Sequence, residues 1–212
     1  MTEVIPIPAA SVILLRGEPF EVLMIRRHEK SSFVPNAWVF PGGAVDAADQ
    51  RGSTLDTMRV AAARELFEES GIWMGAPLPD LDAKRRALLA GETTFDALAA
   101  ESPVDFERLV WTSRWITPEG VPKRFDTWFF LARANDVADA SVDDNEAVDV
   151  VWIKPADAIA NLQIVFPTWK NLEAIDGFPT IDELLASRRG ADIPTMRPRL
   201  VDDNGKFKIV LP

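Results

Sequence analysis

Three glutamates stand close together in the segment 64–72, which reads RELFEESGI. Glu65, Glu68 and Glu69 are spaced i, i+3 and i+4, so a helix would place all three side chains on one face. Like charges at these spacings repel one another by roughly 0.2–0.5 kcal/mol per pair. Such a face is either a solvated helix surface or a binding site for a hard cation such as Mg²⁺, Mn²⁺ or Ca²⁺.

The residues around the glutamates favour the cation site. The full pattern is Arg-Glu-apolar-x-Glu-Glu-x-Gly-apolar, and a window matches it by chance on the order of once in ten million. Arg64 can reach Glu68 at i+4 and balance part of the charge. Ala61 lies one turn earlier on the same face and leaves room for a substrate. A run of Phe, Pro, Gly and Gly at 40–43 precedes the helix.

The helix that carries these residues is predicted from Ser53 to Ser70. Ser53 can cap its first turn, and Asp56 completes a carboxylate variant of the capping box. Gly71 suits the left-handed residue that ends a helix. One stripe of apolar residues at helical spacing faces the core.

The remaining elements predict an α/β or α+β fold. Strands are predicted at 5–16, 20–27, 37–40, 111–117, 125–133 and 150–153, the third ending in a tight turn at Gly42 and Gly43. Helices are predicted at 155–161, 168–175 and 180–189. We expect one domain over 1–212, with a helical insertion at about 81–109, an acidic loop at 136–149 and a C-terminal hairpin turning at Asp203 to Gly205.

Composition excludes several functions. The formal net charge is −10, which disfavours non-specific nucleic-acid binding because that binding neutralises phosphates with cations. The chain has no cysteine, so disulfide and thiol chemistry are excluded. No apolar run of membrane-spanning length and no signal peptide are readable, so we expect no membrane contact and a cytoplasmic protein.

The segment 64–72 resembles the second half of the Nudix box, the motif of the Nudix hydrolases. That box reads Gly, five residues, Glu, seven residues, then the pattern above. Here Gly43 lies 21 positions before Arg64, seven more than the box allows. The middle acid is Asp49 if counted forward from Gly43 and Asp56 if counted back from Arg64, and the sequence leaves both open.

The lengthened box resembles one branch of the family, the peroxisomal coenzyme A diphosphatases and their bacterial relatives. The similar segments are FPGGAVDAAD at 40–49, WITP at 115–118, and RFDT at 124–127 leading into WFFLA at 128–132. This resemblance implies an α/β/α sandwich with a mixed β-sheet and a helical insertion. It covers most of the chain.

The resemblance also implies a set of site residues. Metal ligands for Mg²⁺ or Mn²⁺ would be the Gly43 carbonyl, Glu65, Glu68 and Glu69. Catalytic roles would fall to Arg64, Glu65, Glu69 and Glu146, the base being Glu65 or Glu146. Cations available for substrate phosphates are Arg26, Arg27 and Arg124, with Arg114 and Lys123 as further candidates.

The expected reaction is metal-dependent hydrolysis of a phosphoanhydride bond in a nucleoside diphosphate derivative, with coenzyme A or an acyl derivative as the first candidate. The alternatives are ADP-ribose, dinucleotides or oxidised nucleotides as substrates. Two other classes also stay open, a catalytically silent nucleotide-binding domain and a calcium-stabilised structural domain. A homodimer is expected by analogy with the family.

Overall fold

The computed structural model describes residues 4–31, 34–134, 140–142, 147–203 and 206–211. The strands in these residues are β1 (Ile7–Arg16), β2 (Glu21–Arg27), β3 (Trp38–Val39), β4 (Gly42–Ala44), β5 (Val110–Ile116), β6 (Phe125–Arg133), β7 (Ala147–Ile153), β8 (Thr195–Met196), β9 (Arg199–Asp203) and β10 (Lys206–Val210). The α-helices are α1 (Thr54–Ser70), α2 (Leu81–Leu89), α3 (Phe95–Glu101), α4 (Pro155–Asn161), α5 (Phe166–Ile175) and α6 (Ile181–Arg188).

The first eight strands form one mixed sheet in the order β3-β2-β1-β6-β5-β8, with β4 paired to β1 and β7 paired to β2. Strands β1 and β6 are parallel, as are β5 and β8, whereas the other pairs are antiparallel. Strands β9 and β10 form a separate hairpin, as predicted, whose turn at 204–205 lies outside the described residues.

Helices cover both faces of the sheet. Along β1, Val12 and Leu14 belong to the apolar cluster that contains most of the apolar residues of α1. The alternate residues Ile13 and Leu15 belong to a second cluster, which includes Leu172 from α5 and other residues from α4 and α6. Because both faces are buried, β1 reads as an almost continuous apolar run. The structure confirms the predicted α/β/α sandwich with a mixed sheet.

The predicted bounds of α1 are confirmed by its caps. The Asp56 N–H donates to Ser53 Oγ at 3.1 Å, and the Gly71 N–H donates to the Phe67 carbonyl at 2.9 Å. Gly71 has φ of 72°, a conformation that glycine adopts without the strain other residues incur. Local chemistry therefore fixes both ends of the helix that carries the glutamates.

Two sequence predictions about this region were wrong. Residues 42–44 are not a turn but a strand, because Gly42 and Gly43 pair with Ser11 and Ala10 of β1. A Cβ on Gly42 would lie 2.4 Å from the Ala10 carbonyl oxygen, so a bare backbone is needed at this crossing. Ala61 leaves no room for substrate, since it is fully buried in the apolar cluster under α1.

Other differences are shifts of boundary. The acidic segment predicted as loop up to 149 becomes β7 from Ala147 onward, because it pairs with β2. The segment predicted as a helical insertion does contain α2 and α3. No helix in the described ranges has the length and apolarity needed to span a bilayer. The single domain stays a prediction.

Candidate metal and active site

Strand β4 lies against the C-terminal half of α1 and meets two of the three glutamates. The Gly42 N–H donates to Glu69 Oε2 at 2.6 Å. A Cβ on Gly43 would lie 2.5 Å from the Glu65 carboxylate, so the missing side chain is the space in which that carboxylate sits. The two consecutive glycines thus have different tasks, a donor for Glu69 and room for Glu65.

Arg64 sits at the centre of the carboxylate cluster and is only 6% exposed. Its guanidinium donates to Asp49 from Nε at 3.0 Å and from a terminal nitrogen at 2.8 Å. It also donates to Glu65 at 2.9 Å, to Glu68 at 2.7 Å and to the Ala44 carbonyl at 2.9 Å. The Arg64 side chain therefore orients Glu65 and Glu68 and connects them to Ala44 at the end of β4.

The structure decides between the two candidates for the middle acid. Asp49 is 1% exposed and forms a two-pronged ion pair with Arg64. Asp56 is exposed, and its carboxylate accepts from Ser53 Oγ at 2.6 Å in the first turn of α1. Counting forward from Gly43 is therefore correct, and the seven surplus residues follow Asp49.

Negative charge exceeds positive charge in the cluster. Carboxylates of Asp46, Asp49, Glu65 and Glu68 all lie within 3.8 Å of the single Arg64 guanidinium. Burial alone would lower the Arg64 pKa, but hydrogen bonds with Asp49 and the surrounding charges outweigh it and raise that pKa. Burial raises the Glu68 pKa above its ordinary value, and Arg64 only partly offsets this.

The chemistry of these donors fits a hard cation. Carboxylate oxygens with uncompensated charge are the ligands that Mg²⁺ and Mn²⁺ select. Within the described ranges, however, no three acidic or histidine side chains are already gathered around one point as a metal cage. The physical reason is that protein donors hold them, Arg64 for Glu65 and Glu68 and the Gly42 N–H for Glu69.

The arginines predicted for substrate phosphates are engaged within the protein. Arg26 forms an ion pair with Asp149 at 3.5 Å, and both side chains are substantially exposed. Arg27 donates to Ser31 Oγ at 2.7 Å. Arg124 is buried and donates to the carbonyls of Thr117 and Val4, at 3.1 and 2.8 Å. Those contacts give it a structural role, so the structure argues against Arg124 as a substrate ligand.

Two further candidate cations also have protein partners. Arg114 forms a two-pronged ion pair with Asp126 at 2.8 and 2.6 Å, and hydrogen bonding to that carboxylate raises the Arg114 pKa. Lys123 Nζ lies 5.2 Å from the Phe125 ring centroid. The candidate base Glu146 lies outside the described residues.

A cavity of about 290 Å³ opens beside the end of β4 and the start of α1. It is lined by Pro8, Val45, Gln50, Arg51, Gly52, Ser53, Thr54, Thr57 and Met58. Most of these residues belong to the surplus that follows Asp49 and lengthens the box. The Thr57 hydroxyl is already bonded within the loop, to the Arg51 N–H and the Ser53 carbonyl. The apolar wall comes from Pro8, Val45 and Met58.

The fold, the glutamate helix and the glycine strand together define a class of protein. The NUDIX domain family model matches residues 6–174, and the chain therefore belongs to the Nudix family. A solved structure of a Nudix hydrolase from Alicyclobacillus acidocaldarius superposes with a TM-score of 0.75 at 25% identity, covering 86% of this chain and 96% of that one.

Curated relatives are similar over most of this chain. A Caenorhabditis elegans protein named nudix hydrolase 7 is 34% identical over 158 residues, which is 71% of this chain and 52% of the relative. The acyl-coenzyme A diphosphatase NUDT19 of Xenopus laevis is 26% identical over an alignment of 236 positions, gaps included, which covers 78% of this chain and 62% of the relative. The chain thus spans little more than half the length of these relatives.

Proposed function

We propose that this chain hydrolyses a phosphoanhydride bond in a nucleoside diphosphate derivative, with coenzyme A or acyl-coenzyme A as the first candidate. The observation that carries the proposal is the glutamate face of α1 held against the glycines of β4. In the reaction, water oxygen bonds to one phosphorus while the bridging oxygen leaves on the other. The products are two phosphate monoesters, and a proton is released.

Glu65, Glu68 and Glu69 are the proposed side-chain ligands of a divalent cation. The proposed backbone ligand is the Gly42 carbonyl, in place of the Gly43 carbonyl that the resemblance implied. The pairs Val12–Pro41 and Pro8–Val45 are hydrogen-bonded between β1 and β4. Hydrogen-bonded and non-hydrogen-bonded pairs alternate along antiparallel strands, so Gly43 is bonded to Ala10, whereas the N–H and carbonyl of Gly42 point away from β1. The Gly42 N–H donates to Glu69, and the Gly42 carbonyl points to the same side of β4 as that N–H.

When bound, a carboxylate-held cation neutralises diphosphate charge and makes a water more nucleophilic. The protein groups do the rest. Arg64 fixes Glu65 and Glu68 by hydrogen bonds, so their oxygens are oriented before substrate arrives. Glu65 is the candidate base among the described residues, and Glu146, which precedes β7 in the sequence and lies outside the described residues, is the alternative. Arg26 and Arg27, the last two residues of β2, stay proposed phosphate contacts.

The cavity beside β4 is the proposed place for part of the substrate beyond the diphosphate. Its lining residues Val45 and Gln50 directly follow Ala44 and Asp49, which both accept hydrogen bonds from Arg64, so the cavity adjoins the carboxylate cluster. Its apolar wall suits the flexible, weakly polar arm of an acyl-coenzyme A better than a second charged group. The relatives named acyl-coenzyme A diphosphatase NUDT19 support the same substrate class.

A substrate panel tests the proposed function. Purified protein with Mg²⁺ would be given coenzyme A, an acyl-coenzyme A, ADP-ribose and a diadenosine polyphosphate, and products resolved by chromatography. We expect fastest turnover of a coenzyme A species, yielding 3′,5′-ADP and a phosphopantetheine. Faster turnover of ADP-ribose or the dinucleotide would overturn the substrate assignment. The cytoplasmic location, the homodimer and the lack of nucleic-acid binding stay predictions.

Gly43→Ala should reduce turnover roughly 100-fold with little loss of stability. The new methyl group would occupy the place of the Glu65 carboxylate, which must turn away. Displacing a reacting group by about 1 Å can lower the rate about 100-fold. The fold loses little stability, because the flexible end of the Glu65 side chain can rotate away from the methyl group. Initial rates and thermal denaturation would be measured together. Undiminished turnover would show that Glu65 need not occupy that place.

Gly52→Phe should raise KM about 10-fold and leave kcat unchanged. A Cβ at Gly52 meets nothing within 4 Å, so a side chain can start there without a clash, and Gly52 lines the cavity that the ring is meant to fill. Loss of ground-state binding that persists in the transition state raises KM alone. Gly52→Ala is the matched control, and its KM should stay at the wild-type value. An unchanged KM in Gly52→Phe would exclude the cavity from substrate binding.

A further inference from the structure

Helix α2 reaches back to the C-terminal end of α1 through one buried arginine. Arg85 is 5% exposed, although it is a cation on a short helix. Its Nε and a terminal nitrogen both donate to the Glu68 carbonyl, at 2.9 and 2.7 Å. Its other terminal nitrogen donates to the Ser141 carbonyl at 3.0 Å. This side chain joins α1, α2 and the segment 140–142.

Gly71 leaves the space for this junction. A Cβ on Gly71 would lie 3.3 Å from both an Arg85 terminal nitrogen and Ser141 Oγ, closer than ordinary contact. The Ser141 N–H also donates to the Ser70 carbonyl at 2.9 Å. The last carbonyls of α1 are thus bound by side chain and backbone donors from two other segments.

The end of α1 needs such donors more than most helix ends do. The C-terminal end of a helix carries partial negative charge, which acidic side chains worsen and cations relieve. The last turn of α1 contains no basic residue, and Glu68 and Glu69 both lie near its end. Arg85 supplies the cation from outside the helix, at the backbone of Glu68.

We propose that Arg85 is a positioning residue for the glutamate face of α1, holding the last turn in the geometry that binds a divalent cation. The inference rests on the proposed function, since it assumes that Glu68 and Glu69 are ligands. It assigns α2 a functional role: the helical segment after the box helps to build the cation site.

The direction of the effect separates positioning from charge. Arg85 is positive, so its removal should tighten cation binding if electrostatics alone mattered. If the contacts with the Glu68 carbonyl set the geometry, removal should weaken binding instead. Substituting a residue that orients metal ligands typically lowers metal affinity about 10- to 100-fold.

The test is Mn²⁺ binding, measured by the electron paramagnetic resonance signal of the free ion, without substrate. We expect Arg85→Met to weaken binding at least 10-fold, with Arg85→Lys intermediate because it can replace only part of the contacts. Arg86→Met is the matched control, since this neighbour is exposed, and it should bind like wild type. Circular dichroism verifies folding, and Arg85→Lys decides the matter if Arg85→Met does not fold.

Unchanged or tighter Mn²⁺ binding in the folded Arg85 variants would overturn the inference. Glu69→Gln, measured in the same series, distinguishes this failure from that of the proposed site. Weakening by Glu69→Gln alone would leave the glutamate site in place and remove Arg85 from it. Wild-type binding in Glu69→Gln would overturn the proposed cation site and the role of Arg85 together.

Discussion

Glu69→Gln should lower turnover roughly 100- to 10,000-fold, because it removes a charged ligand of the proposed cation, and charge stabilisation by such a cation is worth several kcal/mol. The change removes one negative charge and keeps a side-chain oxygen that can accept from the Gly42 N–H. The cost should therefore fall on the chemistry. Initial rates with Mg²⁺ would be compared with those of the wild-type protein.

The free energy of unfolding of this variant should not fall. Glu69 lies among like charges near the C-terminal end of α1, where a neutral residue relieves repulsion. We expect a free energy of unfolding equal to that of the wild-type protein or a few tenths of a kcal/mol higher, about 0.3 kcal/mol. Glu119→Gln, at an exposed position in the turn between β5 and β6 and outside any helix, should leave both quantities unchanged. Full activity in Glu69→Gln would remove this residue from the site.

Asp49→Asn should destabilise the protein by about 3 kcal/mol and impair turnover as well. Asp49 is buried and accepts two hydrogen bonds from Arg64, and an amide in its place cannot accept both. A buried charged donor that loses its partner costs about 3 kcal/mol, although Arg64 keeps its bonds to Glu65 and Glu68. Urea denaturation gives the change in unfolding free energy.

Asp56→Asn is the control for this prediction, because the sequence alone could not choose between the two aspartates. Asp56 is exposed, and its carboxylate accepts from the Ser53 cap and lies 4.0 Å from the Arg59 guanidinium, a surface ion pair of small energy. Its replacement should cost under about 1 kcal/mol, as for an element of a helix cap. Equal losses in both variants would contradict the assignment of Asp49 as the middle acid of the box.

The sequence predicted α1 almost to the residue because its signals are local. Ser53 and Gly71 lie within or next to the helix and need no distant partner to act as caps. The strands β1, β2, β5 and β6 were predicted for a similar reason, since their apolar content alone marks them as buried.

The features that were missed depend on contacts between distant parts of the chain. Two adjacent glycines favour a turn by their own propensity, and only the pairing with Ser11 and Ala10 makes them a strand. Counting along a lengthened loop could not identify Asp49, because loop length does not say which acid folds back onto Arg64. Arg85 gave no signal, since nothing in α2 indicates that one of its cations reaches another helix.

The most direct test of the central claim is product analysis by mass spectrometry after incubation with coenzyme A and Mg²⁺ in ¹⁸O-labelled water. The account predicts 3′,5′-ADP and 4′-phosphopantetheine, one of them carrying a single ¹⁸O on phosphorus, and no products once the cation is chelated. The account would be contradicted if the same products formed with the cation chelated. It would also be contradicted if coenzyme A stayed intact and parallel incubations left ADP-ribose and a diadenosine polyphosphate intact as well.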